Sequence, residues 1–428
     1  MEKQERDKII SLIQREVVPA IGCTEPIAVA LGVAKATELL GIRPESIRLQ
    51  LSANILKNAM GVGIPGTGMI GLPIAIALGA LIGKSEYELE VLKDATPEWV
   101  EEGKRMIAEH CIEIKQKKES CDKLYIEVTC SAGENSATAI ISHGHTHFVY
   151  LEKNGEVLLN EDETIEMDGN SESIDLTLEK VYEFATTAPT DEIRFILKAA
   201  ELNSKAAECG LKQCYGHCIG HLLDRSMYKD HFMGDSLLAK IMSYTSAACD
   251  ARMGGAPVPV MSNSGSGNQG IATTLPVYVY AKENHKSEEE LIRALILSHL
   301  TAIYIKQSLG RLSALCGCVV ASTGSSCGIT YLMGGNYENV SYAVQNMIAT
   351  LTGMLCDGAK PSCAIKVTSG VSTAVLCAMM AMDKRHVTGV EGIIDEDVNK
   401  SIRNMTRIGA SGMNETDKYV LDIMTGKE

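Results

Sequence analysis

The sequence predicts an α+β fold, with a mostly helical catalytic domain and a smaller domain that contains an antiparallel sheet. Two patterns carry this. From about Leu176 onward the chain reads as long helical segments, and between Cys111 and about Asn160 it alternates in the manner of strands separated by turn residues. Composition agrees. Only 4% of residues are aromatic against 45% hydrophobic, so the core is built from Leu, Ile, Val, Ala and Met, which suits helices packed through small side chains. A chain of 428 residues is long for one simple domain. The expected division is an N-terminal α+β region over 1–175, with the Cys23 loop and the sheet, and a helical domain over 176–428.

The first element is an amphipathic helix over residues 4–18, with Ile9, Ile10, Ile13 and Val17 on one face and Pro19 as its stop. A second helix follows from Ile27 to Leu40. Thr24 fits its N-cap and Pro26 its first turn, which places Cys23 just before a helix N-terminus, where free amides and the dipole favour a thiolate. A reactive cysteine and a small buried turn residue are both compatible with that position. Residues 46–52 alternate as a strand and lead to Lys57 and the loop 61–68, which has four glycines in eight residues. No Gly-Lys-Ser/Thr follows, so a P-loop is not expected; a tight loop whose amides approach a small carboxylate fits, with Lys57 supplying positive charge.

The strands are expected over 123–130, 137–142 and 146–151, with Asn154-Gly155 as a hairpin signal. They carry His143, His145 and His147, which would share one strand face; a zinc or nickel site and a solvated edge both fit, the edge better because no acidic or cysteine partner is near in sequence. Helices are then expected near 190–208, 216–250, 268–284, 288–309, 339–355 and 364–382. Within the second of these, Cys214, His217, Cys218 and His221 fall on one helix face, superficially a zinc set but without a second distant pair. The loop Met261–Gly270 is small, amide-rich and hydroxyl-rich, and it opens a helix. Asn263, Ser264, Ser266, Asn268 and Gln269 there are the expected substrate-binding groups for an anionic ligand, with Lys360 and Lys366 as charge partners.

Net charge is −14, and no basic stripe offsets it, which argues against nucleic acid as a partner. The charged N-terminus has no apolar core and the apolar run 60–82 is broken by glycine and proline, so neither a signal peptide nor a membrane span is expected, and the expected location is the cytoplasm. Fourteen cysteines are then many. Five of them, Cys316, Cys318, Cys327, Cys356 and Cys363, lie among glycine, serine and alanine. Gathered this way they point to metal ligation or catalysis rather than disulfides. Cys249 and Cys377 sit in alanine-rich helical runs and read as buried hydrophobes. The segment Cys356-Asp357-Gly358-Ala359-Lys360-Pro361-Ser362-Cys363 is a short turn that lets two thiols converge, as an iron–sulfur cluster requires.

Gly22-Cys23-Thr24-Glu25-Pro26, Ser264-Gly265-Ser266-Gly267-Asn268-Gln269-Gly270, Leu312–Gly317 and Cys356–Ala364 together resemble the L-cysteine desulfidase family, itself similar to the α portion of bacterial iron–sulfur L-serine dehydratases. The resemblance spans almost the whole chain. It implies an oxygen-sensitive 4Fe–4S enzyme that converts L-cysteine and water to pyruvate, ammonia and sulfide without pyridoxal phosphate. It also implies Cys316, Cys356 and Cys363 as cluster ligands, with Cys318 in reserve and Cys327 structural, and matches the family's additional N-terminal cysteine to Cys23. Three thiolates would leave one iron open to act as a Lewis acid. Cys23 is the first expected base or, alternatively, a fourth ligand that swings away; Glu25 and Lys57 are the other proton-transfer groups. A serine or related β-substituted amino acid dehydratase, and a cluster-bearing redox sensor, remain as alternatives. A homodimer is expected.

Overall fold

In the computed structural model, residues 1–119, 121–161, 174–225, 233–310 and 312–426 are described. The fold is α+β. Helix Lys3–Glu16 buries Ile9, Leu12 and Ile13 on one stripe. Strand β1 (Pro19–Ile21) follows, then the helix Thr24–Leu40, which ends on Gly41 in the left-handed conformation. Strand β2 (Ser46–Leu51) alternates its burial as the sequence pattern requires, and Ser52 caps the next helix, Ala53–Ala59, by accepting from Ile55 N.

The sheet is larger than the sequence pattern implies. Strands β3 (Ile112–Gln116), β4 (Tyr125–Ala132), β5 (Asn135–Ser142), β6 (Phe148–Lys153) and β7 (Glu156–Asn160) join β2 in the order β3-β2-β4-β5-β6-β7. It is mixed rather than purely antiparallel, because β2 pairs parallel with β3 and antiparallel with β4. The β6–β7 turn is Asn154-Gly155, both at positive φ, as the hairpin signal requires. One face packs on the helix Thr24–Leu40: Gly32 lies against Val128 and Ile126, where a side chain would crowd them. Ile27, Leu31, Ile47, Leu49, Ile126, Val128 and Ile141 belong to one buried cluster, with the helix Leu72–Ile82.

A second buried cluster gathers Ile9 and Ile13 with the helices from Leu178 onward. Those helices include Leu178–Thr187, Leu197–Lys212, Leu237–Met253, Gly267–Glu283, Glu288–Leu309, Gly317–Leu332, Tyr337–Leu351 and Cys363–Met382. The expected 216–250 helix is not continuous: Ile219–Asp224 is a short helix of its own, and 226–232 lie outside the described residues. The helix Gly317–Leu332 is outside the expected set, because its Gly, Ser and Thr residues read as a loop. It is built for close crossing: side chains at Gly324 and Gly328 would overlap the backbone of Ser298 and Ala294. Val398–Arg407 and Asn414–Thr425 are further helices beyond the expected set. Among the described residues one helix, Cys363–Met382, is long and apolar enough by composition to cross a membrane; it packs on Leu237–Met253, Gly317–Leu332 and Tyr337–Leu351.

Two short pairings carry the chain to a common centre. Strand β8 (Pro259–Met261) pairs antiparallel with β1, and Ser262 N and Ser264 N donate to Val18 O and Glu16 O. This sets the Cys23 segment beside the Asn263–Gln269 loop. An isolated bridge joins Leu315 to Leu355, with Cys316 N donating to Met354 O and Cys356 N to Ala314 O, so Cys316 and Cys356 lie side by side.

Candidate active site

A cavity of about 130 Å³ opens where these pairings meet. At the roughly 10–15 Å³ that one water-sized group needs, it has room for about ten. Its lining takes Cys23 and Glu25 from one side, Ser264, Ser266, Asn268 and Gln269 from a second, and Cys316, Cys318, Cys356 and Cys363 from a third. Segments more than 300 residues apart in sequence thus face one space.

Cys23, not Thr24, is the N-cap of its helix, and its side chain makes no capping bond. The thiol instead donates to Glu25 Oε2 at 2.9 Å, while Asn58 Nδ2 donates to Glu25 Oε1 at 3.3 Å. The expected thiolate is not what the surroundings favour. Burial pushes the Cys23 thiol well above its usual range and the Glu25 carboxylate adds to that, outweighing the Arg252 guanidinium. The proton-accepting group of this pair is therefore Glu25.

On the thiol wall one group moves the other way. Cys356 is brought down to about 6, first by the hydrogen bond from Cys316 and then by the charges of Lys57 and Lys366 against the cost of burial. Cys316 moves well above its usual range for the same reason, first because it donates to Cys356 and then through burial. The pair is a thiol beside a thiolate. Burial raises Cys363, and raises Cys318 to about 11, whose Sγ donates to Lys366 O at 3.2 Å. Cys327, fully buried within the helix Gly317–Leu332, is raised to about 12 and is no part of the lining.

Lys57 and Lys360 are not in the lining. Lys57, 2% exposed, pairs with Asp417 at 2.5 Å and lies behind the cysteine turn: Gly358, at φ 89, rests directly on Lys57 O. Lys360 pairs with Asp357 at 2.7 Å; Lys366 lines the cavity, bonds Leu355 O and also pairs with Asp357. The glycine loop after Lys57 does not present its amides to a ligand, because Gly63 N and Gly66 N donate to Met253 O and Gly255 O.

Asn263, fully buried, sits under the loop rather than in the lining. Its Nδ2 donates to His299 Nδ1 and O, and its Oδ1 accepts from Ser264 Oγ at 2.9 Å and Gln269 Nε2 at 2.8 Å. His299 Nε2 then donates to Thr274 Oγ1 at 2.9 Å, and burial lowers this imidazole to about 3, so it is neutral. His299, and Arg252 in the cavity lining, are not among the residues the sequence singles out, and His145, expected at a strand edge or in a metal site, lines the cavity as well.

The three histidines do not share a strand face. They occupy the β5–β6 turn, where His143 pairs with Asp122, His147 with Glu161, and His145 reaches the cavity. Cys214 and Cys218 form a disulfide in the turn before Ile219–Asp224, which removes the helix face that a zinc site would need. Among the described residues no three His, Cys, Asp or Glu side chains converge as ligands of a single ion. A cluster asks for something different, thiols spaced around a volume. Cys316, Cys356 and Cys363 fit it: three sulfurs on one cavity, one of them drawn toward the thiolate, with Lys57 behind them and Lys366 beside them.

A family model described as serine dehydratase alpha chain matches residues 86–422. Among curated relatives, a UPF0597 protein of Bacteroides fragilis is 71% identical over 427 residues, covering all of both chains. UPF0597 proteins of Porphyromonas gingivalis and Oleidesulfovibrio alaskensis are 54% and 47% identical, again over all of both chains. With the match covering well over half of its length, through the last helix but its tip, the chain belongs to the serine dehydratase alpha chain family.

Proposed function

We propose that this protein is an iron–sulfur lyase that carries out β-elimination on a small L-α-amino acid, and that its specific reaction converts L-cysteine and water to pyruvate, ammonia and hydrogen sulfide. The observation that carries this reading is the meeting of Cys316, Cys356 and Cys363 with the Cys23–Glu25 pair and the Ser264–Gln269 loop on one cavity. A 4Fe–4S cluster held by the three cysteines would supply a Lewis acid toward the substrate carboxylate and the leaving sulfur. Glu25 accepts the α-proton, held in place by Asn58 Nδ2 and by the Cys23 thiol. Cys23 keeps its own proton and orients the carboxylate. Lys57 and Lys366 hold Cys356 as a thiolate, the form in which it can ligate iron. The loss of the α-proton and of the β-substituent gives aminoacrylate, which water converts to pyruvate and ammonia.

A second reading, L-serine dehydration at the same site, is favoured by the description of the matching family. Elimination of hydroxide asks the same of Glu25 and the thiol wall. The test is made on protein purified and assayed without oxygen: iron and acid-labile sulfide, then pyruvate and sulfide release from L-cysteine and pyruvate release from L-serine. Cluster with sulfide release supports the desulfidase; cluster with pyruvate from L-serine alone selects the dehydratase. Protein that takes up no iron on anaerobic reconstitution sinks both.

A further inference from the structure

The cavity carries two polar groups that the protein itself leaves unmatched. Arg252, near the end of the helix Leu237–Met253, is 3% exposed and lines the cavity. A guanidinium has five N–H donors. Here one donor is used within the protein, Nη1 to Asn268 Oδ1 at 3.0 Å, and Nε is buried without a partner. Among the described residues no carboxylate lies within ion-pair distance of it. Asp250, two positions earlier on the same helix, faces away, its Oδ2 accepting from Gly220 N at 2.9 Å. A buried cation without a counter-charge is costly, and an anionic ligand removes that cost. Gly267 is what allows the arrangement, since any side chain there would overlap the guanidinium.

The second group is Gln269, 1% exposed and in the same lining. Its Nε2 is committed to Asn263 Oδ1, and Asn263 is itself oriented by His299, so the amide cannot flip without setting two acceptor oxygens against each other. Gln269 Oε1 is therefore turned to the Gly317 side of the cavity, buried and without a donor. An anion acceptor and a cation acceptor on one small cavity match an α-amino acid zwitterion. We propose that Arg252 binds the substrate's α-carboxylate and Gln269 Oε1 its α-ammonium, making these two the specificity-determining residues of the site. The inference rests on the reading of the ligand as a small amino acid and names the groups that would select it.

The test uses anaerobic, cluster-reconstituted protein and three probes in calorimetric titrations: L-alanine, which has both charged groups and no leaving group, 3-mercaptopropionate, which lacks the ammonium, and cysteamine, which lacks the carboxylate. Arg252→Gln is expected to weaken L-alanine and 3-mercaptopropionate by about 10-fold or more, the size of a hydrogen bond to a charged group, and to leave cysteamine unchanged. Gln269→Leu is expected to weaken L-alanine and cysteamine and to spare 3-mercaptopropionate. Arg252→Lys, which keeps the charge with little loss of volume, should recover part of the carboxylate affinity and covers the case in which the glutamine variant does not fold. Equal loss of all three probes in the lysine variant, unchanged L-alanine affinity in Arg252→Gln, or loss of iron from that variant would each overturn the assignment. If the probe pattern holds but neither L-cysteine nor L-serine is turned over, the assignment stands and the lyase reading fails; turnover without the pattern does the reverse.

Discussion

The thiol wall faces a wall made by the Ser264–Gln269 loop and the Cys23–Glu25 segment, and Cys356 on the one and Cys23 on the other move in opposite directions. Cys356 is drawn down toward the thiolate by Cys316, Lys57 and Lys366. Cys23 stands at a helix N-terminus, where the dipole favours a thiolate, and is nevertheless pushed up by burial and by Glu25 at 2.9 Å. A helix terminus contributes about 0.3–1 kcal/mol in ordinary settings, and burial of the thiol, with Glu25 adding to it, outweighs that. For Cys356 the hydrogen bond from Cys316 outweighs burial. In the proposed reaction the first wall ligates metal and the second moves or holds a proton.

The largest break in this comparison should come from the thiol wall. Cys356→Ala and Cys363→Ala are each expected to lose bound iron, read as iron and acid-labile sulfide, and to lower turnover by about 10³-fold or more, roughly 4 kcal/mol of transition-state stabilisation. Cys327→Ala serves as the control, expected to retain iron because that thiol is buried away from the cavity. Iron retained in Cys356→Ala would remove the cluster from this wall.

On the loop wall, Glu25→Gln keeps the shape of the side chain and removes its basicity. Its kcat is expected to fall by about 10²-fold or more, with iron content unchanged. Cys23→Ser, which retains a donor to Glu25, should cost far less. A larger loss in the serine variant than in the glutamine variant would return the base to Cys23.

The lysines behind the thiol wall sharpen the contrast without touching the ligands. Lys57→Met removes a charge that holds Cys356 low, so in cluster-free protein the onset of Cys356 alkylation by iodoacetamide should move up by on the order of one pH unit. The sign is fixed, since loss of a cation disfavours the thiolate. An unchanged or lowered onset would mean that Cys316 alone sets the ionisation.

Much of this architecture is carried by local pattern. The stripe Ile9, Leu12, Ile13, the alternation of Ser46–Leu51 and the Asn154-Gly155 turn each express their structure within a few residues. The cysteines and the Ser264–Gln269 loop are visible as residue types, and the chain brings them to one cavity. The helix Gly317–Leu332 is not visible, because the glycines that look like loop residues are there for the backbone of Ser298 and Ala294, partners that only the fold supplies. Arg252 escapes for a related reason. With Asp250 two positions earlier, Arg252 reads as half of a solvated charge pair until the loop 261–270 is laid over it. Its one signal is that Asp250 and Arg252 are the only charges in the small-residue stretch just before Gly254-Gly255. Lys57 shows the converse, a charge expected at the cavity but placed behind the wall by its pairing with Asp417.

The smallest effect concerns the support of the loop wall. His299 is fully buried and held near 3, well below an ordinary imidazole, because burial disfavours its charged form. The unfolded chain therefore binds a proton that the folded chain refuses, so this residue's share of stability is whole above about pH 6.5 and is lost progressively as the pH falls toward 3. Between about pH 7.5 and about pH 5.5 the loss should be about 1.4 kcal/mol, read as a shift in the denaturant midpoint. His299→Gln cannot take up that proton and should show a flatter pH dependence over the same interval, while being less stable at neutral pH because Asn263 and Thr274 lose a partner. Parallel pH profiles for the two proteins would mean that the imidazole ionises in the folded state. The network that orients Asn263 and Gln269 would then have to tolerate a charge, and the loop would no longer rest on a neutral support.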